Sequence, residues 1–279
     1  MVTAALTGLV SCQSGGDTAD DRPRAAPSAS TAAPASSPAG DGTGDGTGGT
    51  AEGRLAGKVV VIDPGHNPGN FRHTAEINRL VDVGTHRKEC DTTGTAAADG
   101  ATEAAFTRDV SQRLRVLLER EGAKVVLTHE AGARAYGPCI DERARIGNEA
   151  KADAVVSVHA DGSAVGHRGF HVILPGKVSS GAADTTAIVA PSRTLGERIA
   201  DAFALSTGAR RANYLGGGTG LQVRTDLGGL NLSTVPKVFI ECGNMADPED
   251  AALLAAADWR QKAAQGLAAG IGDFLRPPV

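Results

Sequence analysis

Two histidines and two glutamates stand where an α/β chain would bring them to one place. His66 closes the run VVVIDPGH and His159 closes ADAVVSVH, while Glu103 opens TEAAFTRDVSQRLRVLLEREG and Glu241 follows PKVFI. Two imidazoles and one carboxylate form a common catalytic zinc set that keeps a position for water, and a second carboxylate is then free to act as base. Taken singly, each residue has a plainer reading. A histidine after a strand is often a loop side chain bonded to backbone, and an acid at a helix start complements the helix dipole. A carboxylate at a strand end is costly to bury unless paired or functional. What decides between these readings is whether the chain carries all four groups to one sheet edge.

The elements that must position them are readable. Val59, Val60, Val61 and Ile62 fit a strand buried on both faces, and Asp63-Pro64-Gly65 stops it. Residues 102–122 form the clearest helix: Thr102 suits the N-cap, Phe106, Val110, Leu114 and Leu117 recur at helical spacing, and Gly122 follows the end. Glu103 lies three residues before Phe106 and so shares the inward face in the first turn. Further strands are expected at 124–128, 152–159, 169–174 and 236–240, with helices at 141–150, 192–205 and 248–275. The alternation of strand and helix implies right-handed crossovers and an α/β fold: a single domain with a mainly parallel twisted sheet flanked by helices on both faces. Ligand crevices in such sheets form at the carboxyl ends of strands, which puts His66 and His159 at the same edge. The 169–174 strand alternates, as an antiparallel or edge strand does, and His171 on it reads as packing or surface. Residues 67–100 are too long for a plain connection and are expected to carry a short helix and hairpin beside the site. That insertion and the glycine-rich 210–220 loop are the two candidate lids.

Composition bounds the rest. The first twelve residues, MVTAALTGLVSC, are apolar, uncharged and too short to span a bilayer. Leu9-Val10-Ser11-Cys12 resembles a lipobox, in which Cys12 would be lipidated, although the usual positive n-region is missing. Residues 13–54 are Ala, Ser, Pro, Gly, Thr and Asp with almost no large apolar side chain, so they are expected to be a flexible tether. Residues 55–279 remain for one globular domain, ample for a core. The net charge is −4 with no dense basic block, which argues against nucleic acid as a partner. The expected protein is exported, monomeric, and either secreted or anchored in the cell envelope through Cys12. Cys90 and Cys139 lie in turn-rich surroundings and are the expected disulfide pair, with free thiols as the alternative. Cys242 follows an apolar run and reads as a small buried residue.

These motifs resemble the zinc-dependent N-acetylmuramoyl-L-alanine amidases of the bacterial cell wall, the amidase type 3 family. The resemblance is carried by IDPGH, TEAAFTRDVSQRLRVLLEREGAKVVLT, ERARIGNEAKADAVVSVHAD and VPKVFIECGNM, and it spans nearly everything from residue 58 to 275. It implies that His66, Glu103 and His159 bind one zinc ion and that Glu241 is the catalytic acid/base. The implied substrate is peptidoglycan or its muropeptides, cut between N-acetylmuramic acid and L-alanine. Asp63 is expected to fix local geometry as a supporting partner. Two residues depart from the usual pattern: His129 stands where many members have arginine, and Asp161 where asparagine is usual. Glu76 is a competing carboxylate nearer His66, but it sits in the weakly periodic insertion, whereas Glu103 opens the strong helix as the family pattern requires. The alternatives are a zinc peptidase cutting within the stem peptide and a non-catalytic wall-binding module. The latter would be favoured by loss of one of the four residues, and all four are present.

Overall fold

The computed structural model describes residues 53–276. The Cys12 lipobox and all of the 13–54 tether except its last two residues lie outside the described residues. β1 (Val59–Pro64) comes first. The insertion after it carries α1 (Thr74–Ile77) and an antiparallel hairpin of β2 (Leu80–Asp82) and β3 (Arg87–Glu89), as its length suggested. Next come α2 (Glu103–Arg120), β4 (Lys124–Leu127), α3 (Ile140–Glu149), β5 (Ala154–Asp161) and β6 (His171–Pro175). A small hairpin of β7 (Ser179–Ser180) and β8 (Ala183–Asp184) leads to α4 (Val189–Thr207) and β9 (Leu221–Arg224). The chain closes with α5 (Gly228–Asn231), β10 (Lys237–Asn244), α6 (Pro248–Ala255) and α7 (Ala257–Leu275).

Six strands form one sheet in the order β4-β1-β5-β10-β6-β9. The first four are parallel, β6 runs antiparallel to β10, and β9 lies parallel to β6 at the edge. The sheet is therefore mainly parallel, and β6 takes the antiparallel place its alternation suggested. β9 has no apolar run to announce it, since only half-buried edge positions are on offer there. The expected 248–275 helix is two helices, because Ala256 adopts an extended ψ of 122° between them. Strand β10 also runs on past Ile240, so Glu241 lies within a strand rather than beyond its end.

Side-chain parity splits the sheet into two chemically different faces. Val60, Ile62, Ala154, Val156, Val158, Val238 and Ile240 point into the main apolar core. There they meet Phe106, Val110, Leu114 and Leu118 of α2 together with apolar residues of α4 and α7. Each fully buried side chain of this kind contributes roughly 1.5–3 kcal/mol. Thr102 caps α2 by accepting from Ala105 N at 3.3 Å, which fixes where the helix begins and hence where Glu103 stands. The opposite face carries Val61 and Val155 under α3, and then Asp63, Ser157, His159, Lys237, Phe239 and Glu241 by the same parity. One face thus supplies the stability and the other the chemistry.

Candidate metal centre

His66 is delivered by a left-handed turn directly after β1. Its φ of 61° is uncommon for a residue with a β-carbon, and such conformations persist only where surrounding bonds enforce them. Arg143 of α3 supplies those bonds. Its Nη1 donates to Pro64 O at 2.6 Å and Asp63 Oδ1 at 2.8 Å. Its Nη2 donates to His66 O at 3.2 Å and Asp91 Oδ2 at 2.9 Å, and Nε to Pro138 O at 2.8 Å. All five guanidinium N–H groups are used, so one buried arginine ties the turn after β1 to the insertion and to the loop before α3. The Cys90–Cys139 disulfide closes the same junction, one residue from Asp91 and one from Pro138.

His66, Glu103 and His159 converge from three elements, with one ligand atom of each within 4.8 Å of the others. Glu103 is buried, and its two oxygens face the two rings: Oε2 lies 3.2 Å from His66 Nε2 and Oε1 lies 2.9 Å from His159 Nδ1. The second nitrogen of each ring is engaged elsewhere. His66 Nδ1 donates to Thr92 O at 3.1 Å, with Asp91 Oδ1 at 3.5 Å. Ser157 Oγ donates to Asp63 Oδ2 at 2.9 Å and so accepts from His159 Nε2 at 3.2 Å. Each ring is left with the nitrogen facing Glu103 free to offer a lone pair to a cation, the arrangement that outer partners impose on metal-binding imidazoles. A set of two nitrogens and a carboxylate oxygen suits a divalent ion such as zinc.

The electrostatics agree. Burial pushes the Glu103 carboxyl up, but hydrogen bonds from His159 and His66 outweigh it and hold the group well below the usual carboxylate range. Burial likewise pulls His66 down, and its bonds to Asp91 and Glu103 overcome this and raise it to about 10. A cation between these groups would take the place of the protons they hold, so binding releases protons. Glu241 behaves in the opposite way. Burial, followed by the charges of Glu103 and Asp161, pushes its carboxyl well above the ordinary value. Its Oε2 is buried without a hydrogen-bond partner. In the sheet Glu241 is registered beside His159. A raised carboxyl next to a held-down one is how two acids acquire two roles. Beside His66 and His159 opens a cavity of about 200 Å³, lined in part by Phe239, Ile140, Leu227 and Gly229.

His66, Glu103 and His159 thus come together, Glu241 is registered beside His159 in the next strand, and Glu76 does not join them. It is exposed on α1 and bonded to His73 at 3.3 Å. A match to the N-acetylmuramoyl-L-alanine amidase profile covers residues 60–273. The chain belongs to that amidase family. It is 40% identical over 222 residues to N-acetylmuramoyl-L-alanine amidase Rv3717 of Mycobacterium tuberculosis, covering 79% of this chain and 88% of the relative. The crystal structure of the N-acetylmuramyl-L-alanine amidase Ami1 from Mycobacterium smegmatis superposes with a TM-score of 0.73 at 39% identity, covering 79% of this chain and 98% of that one. Ami1 from Mycobacterium abscessus gives 0.72 at 38% identity, with 79% and 100% covered.

Several groups of this amidase domain escaped the sequence reading. Asp63 was expected as a supporting partner, but the extent of its network was not. It is 1% exposed and accepts from Thr128 Oγ1 at 2.7 Å and Lys237 Nζ at 3.3 Å besides Arg143 and Ser157. Burial would raise its pKa, yet Lys237 and Arg143 overcome that and hold the group far down. Parity offered a signal here, since Lys237 shares the strand face of Glu241 four residues on. The insertion, one of the two candidate lids, also contributes to the centre itself: Thr92 and Asp91 meet His66, and Thr95 N donates to Glu103 Oε2 at 2.9 Å. Two glycines permit the close packing. A β-carbon on Gly65 would meet His159 Nδ1 at 2.5 Å, and one on Gly94 would meet His66 Cδ2 at 2.7 Å. Of the two departures, Asp161 has a specific partner, accepting from Tyr214 Oη at 2.6 Å.

Proposed function

We propose that the chain hydrolyses the amide bond between N-acetylmuramic acid and L-alanine in peptidoglycan, with one zinc ion held by His66, Glu103 and His159 and with Glu241 as acid/base. The observation that carries this is the pairing of a closed His-Glu-His set with a raised, unpartnered carboxyl in the next strand. Zinc bound there supplies an acidic water and a charge that polarises the scissile carbonyl. His66 and His159 are held in place by Thr92 and Ser157, so the donor set is organised before substrate arrives. Glu241 takes a proton from the attacking water and later gives it to the leaving amine of L-alanine. The family relatives named above, which share about two residues in five, support the choice of bond.

The second reading among enzymes, a peptidase cutting inside the stem peptide, is separated by products. Digestion of muropeptides with and without a chelator, read by mass spectrometry, is expected to release an intact peptide beginning with L-alanine only when metal is present. Fragments broken within the peptide would refute the assignment. As a place of action we propose the cell envelope, either secreted or attached through lipidated Cys12. Among the described residues no helix is long and apolar enough to cross a membrane. We take the protein to act as a monomer.

A further inference from the structure

Lys88 of β3 is registered with Val81 of β2 in the hairpin of the insertion. Registered residues point to the same side of a hairpin, so Lys88 shares a side with a valine that is 4% exposed and packs with Val83, Cys90 and Cys139. Its chain neighbours Arg87 and Glu89 are exposed on the other side. The hairpin therefore turns one lysine toward the body of the domain. Lys88 is part-buried there, and it lines the cavity of about 200 Å³ that His66 and His159 also line.

The plain reading of such a lysine is a stem that covers apolar surface while its ammonium reaches water. Two observations go beyond it. The acids around the cavity are engaged elsewhere or point away: Arg143 holds Asp63 and Asp91, Arg224 holds both oxygens of nearby Asp226, and Glu89 lies on the outer side of the hairpin. Among the described residues Lys88 is thus in no ion pair, while these acids have partners of their own. The walls beside it are apolar, with Ile140, Leu227 and Phe239 contributing. One unpaired cation over apolar walls, next to the reacting centre, is the pattern of a site that orients its ligand through few placed charges.

We propose that Lys88 is a specificity-determining residue that pairs with a free carboxylate on the stem peptide, on the residue after L-alanine. The inference rests on the amidase reading and names which stems that site prefers. Peptidoglycan stems continue from L-alanine with an acidic residue whose remaining carboxyl is free in some stems and amidated in others. Taken as a sphere, the cavity spans about 7 Å, which an extended peptide covers in about two residues at roughly 3.3–3.6 Å each. The second residue of the stem therefore falls within the cavity that Lys88 lines. A carboxylate there meets an unpaired ammonium in partly dry surroundings, where the attraction exceeds that between exposed charges. A carboxamide offers the same shape without the charge.

The test compares two muropeptides that differ only at that position, one with the free acid and one with the amide, on the full chain loaded with zinc. The parent is expected to show a KM about fivefold lower for the acid, the worth of a part-buried charged contact, with similar kcat for both. Raising the salt from about 0.05 to about 0.5 M should shrink that ratio. In Lys88→Met the ratio should fall to within about twofold of one, and in Lys88→Glu it should invert, with bound zinc matching the parent in both. A merely structural role for Lys88 would move both substrates together. Equal KM values in the parent, or a Lys88→Met variant that keeps the parent's ratio, would overturn the proposal. If Lys88→Met fails to fold, Lys88→Gln carries the same expectation and the same refutation. Absence of turnover of either muropeptide by the zinc-loaded parent would instead overturn the amidase reading.

Discussion

Gly94→Ala is a one-methyl change that should disable the metal centre. Gly94 has a φ of +75°, and an added β-carbon would stand 2.7 Å from His66 Cδ2 and 2.9 Å from Glu103 Oε2. Real β-carbons essentially never come closer than 3.0 Å, so the His66 contact must open by at least 3.0 − 2.7 = 0.3 Å. The ring that carries the ligand nitrogen must therefore move by more than the roughly 0.2 Å within which metal–ligand distances normally agree. The loop cannot simply retreat. Thr95 N donates to Glu103 Oε2 at 2.9 Å and Glu103 N donates to Thr95 O at 2.9 Å, so moving the loop moves the ligand. Zinc affinity, measured by competition with a coloured chelator, is expected to fall at least about tenfold, or ~1.4 kcal/mol. The backbone strain costs about 1–3 kcal/mol of folding stability in addition. Gly100→Ala separates the two effects, since Gly100 has a φ of +87° but nothing within 4 Å of the added carbon. It should lose comparable stability and keep its zinc. Equal zinc affinity in the two variants would refute the reasoning.

Two further outcomes follow from the same contacts. The Cys90–Cys139 bridge closes a loop with a sequence separation of 49 residues, which in the chain-entropy model corresponds to about 4 kcal/mol. Denaturant midpoints of the oxidised and reduced protein should differ accordingly, and reduction should also weaken zinc binding because Asp91 and Thr92 adjoin the bridge; unchanged zinc affinity after reduction would contradict that link. Burial and the nearby Arg224 charge push His171 down to about 4 despite Asp161, so the folded state binds its proton less readily than the unfolded chain. Its contribution, on the order of 3 kcal/mol, is therefore present above about pH 6.5 and lost as pH falls toward 4. Urea midpoints of chelated protein between pH 7.5 and 4.5 should show the fall, and a smaller one in His171→Asn. A slope in that variant as steep as in the parent would count against the assignment.

Much of this was legible in the sequence because the relevant signals are local. The β-branched run of β1, the capped periodic helix α2 and the histidines near the carboxyl ends of β1 and β5 each declare themselves within about ten residues. So did the insertion's helix and hairpin. What stayed hidden depends on pairing between distant segments. Arg143 shares the inward face of α3 with Ala144 and Gly147, unlike the exposed Arg145, but nothing in that helix says what its guanidinium reaches. Only the packing of α3 against the turn after β1 makes it a hub. Asp91 and Gly94 are ordinary loop residues until the disulfide brings them to His66. The register that sets Glu241 beside His159 is a property of two distant strands, and no single segment records it.

The most direct test of the central claim is zinc content measured beside muropeptide turnover in two variants. Glu103→Ala is expected to lose both zinc and turnover, while Glu241→Ala keeps one zinc per chain and loses turnover. Full zinc in Glu103→Ala, or near-normal hydrolysis by Glu241→Ala, would contradict the division of roles between the two carboxylates.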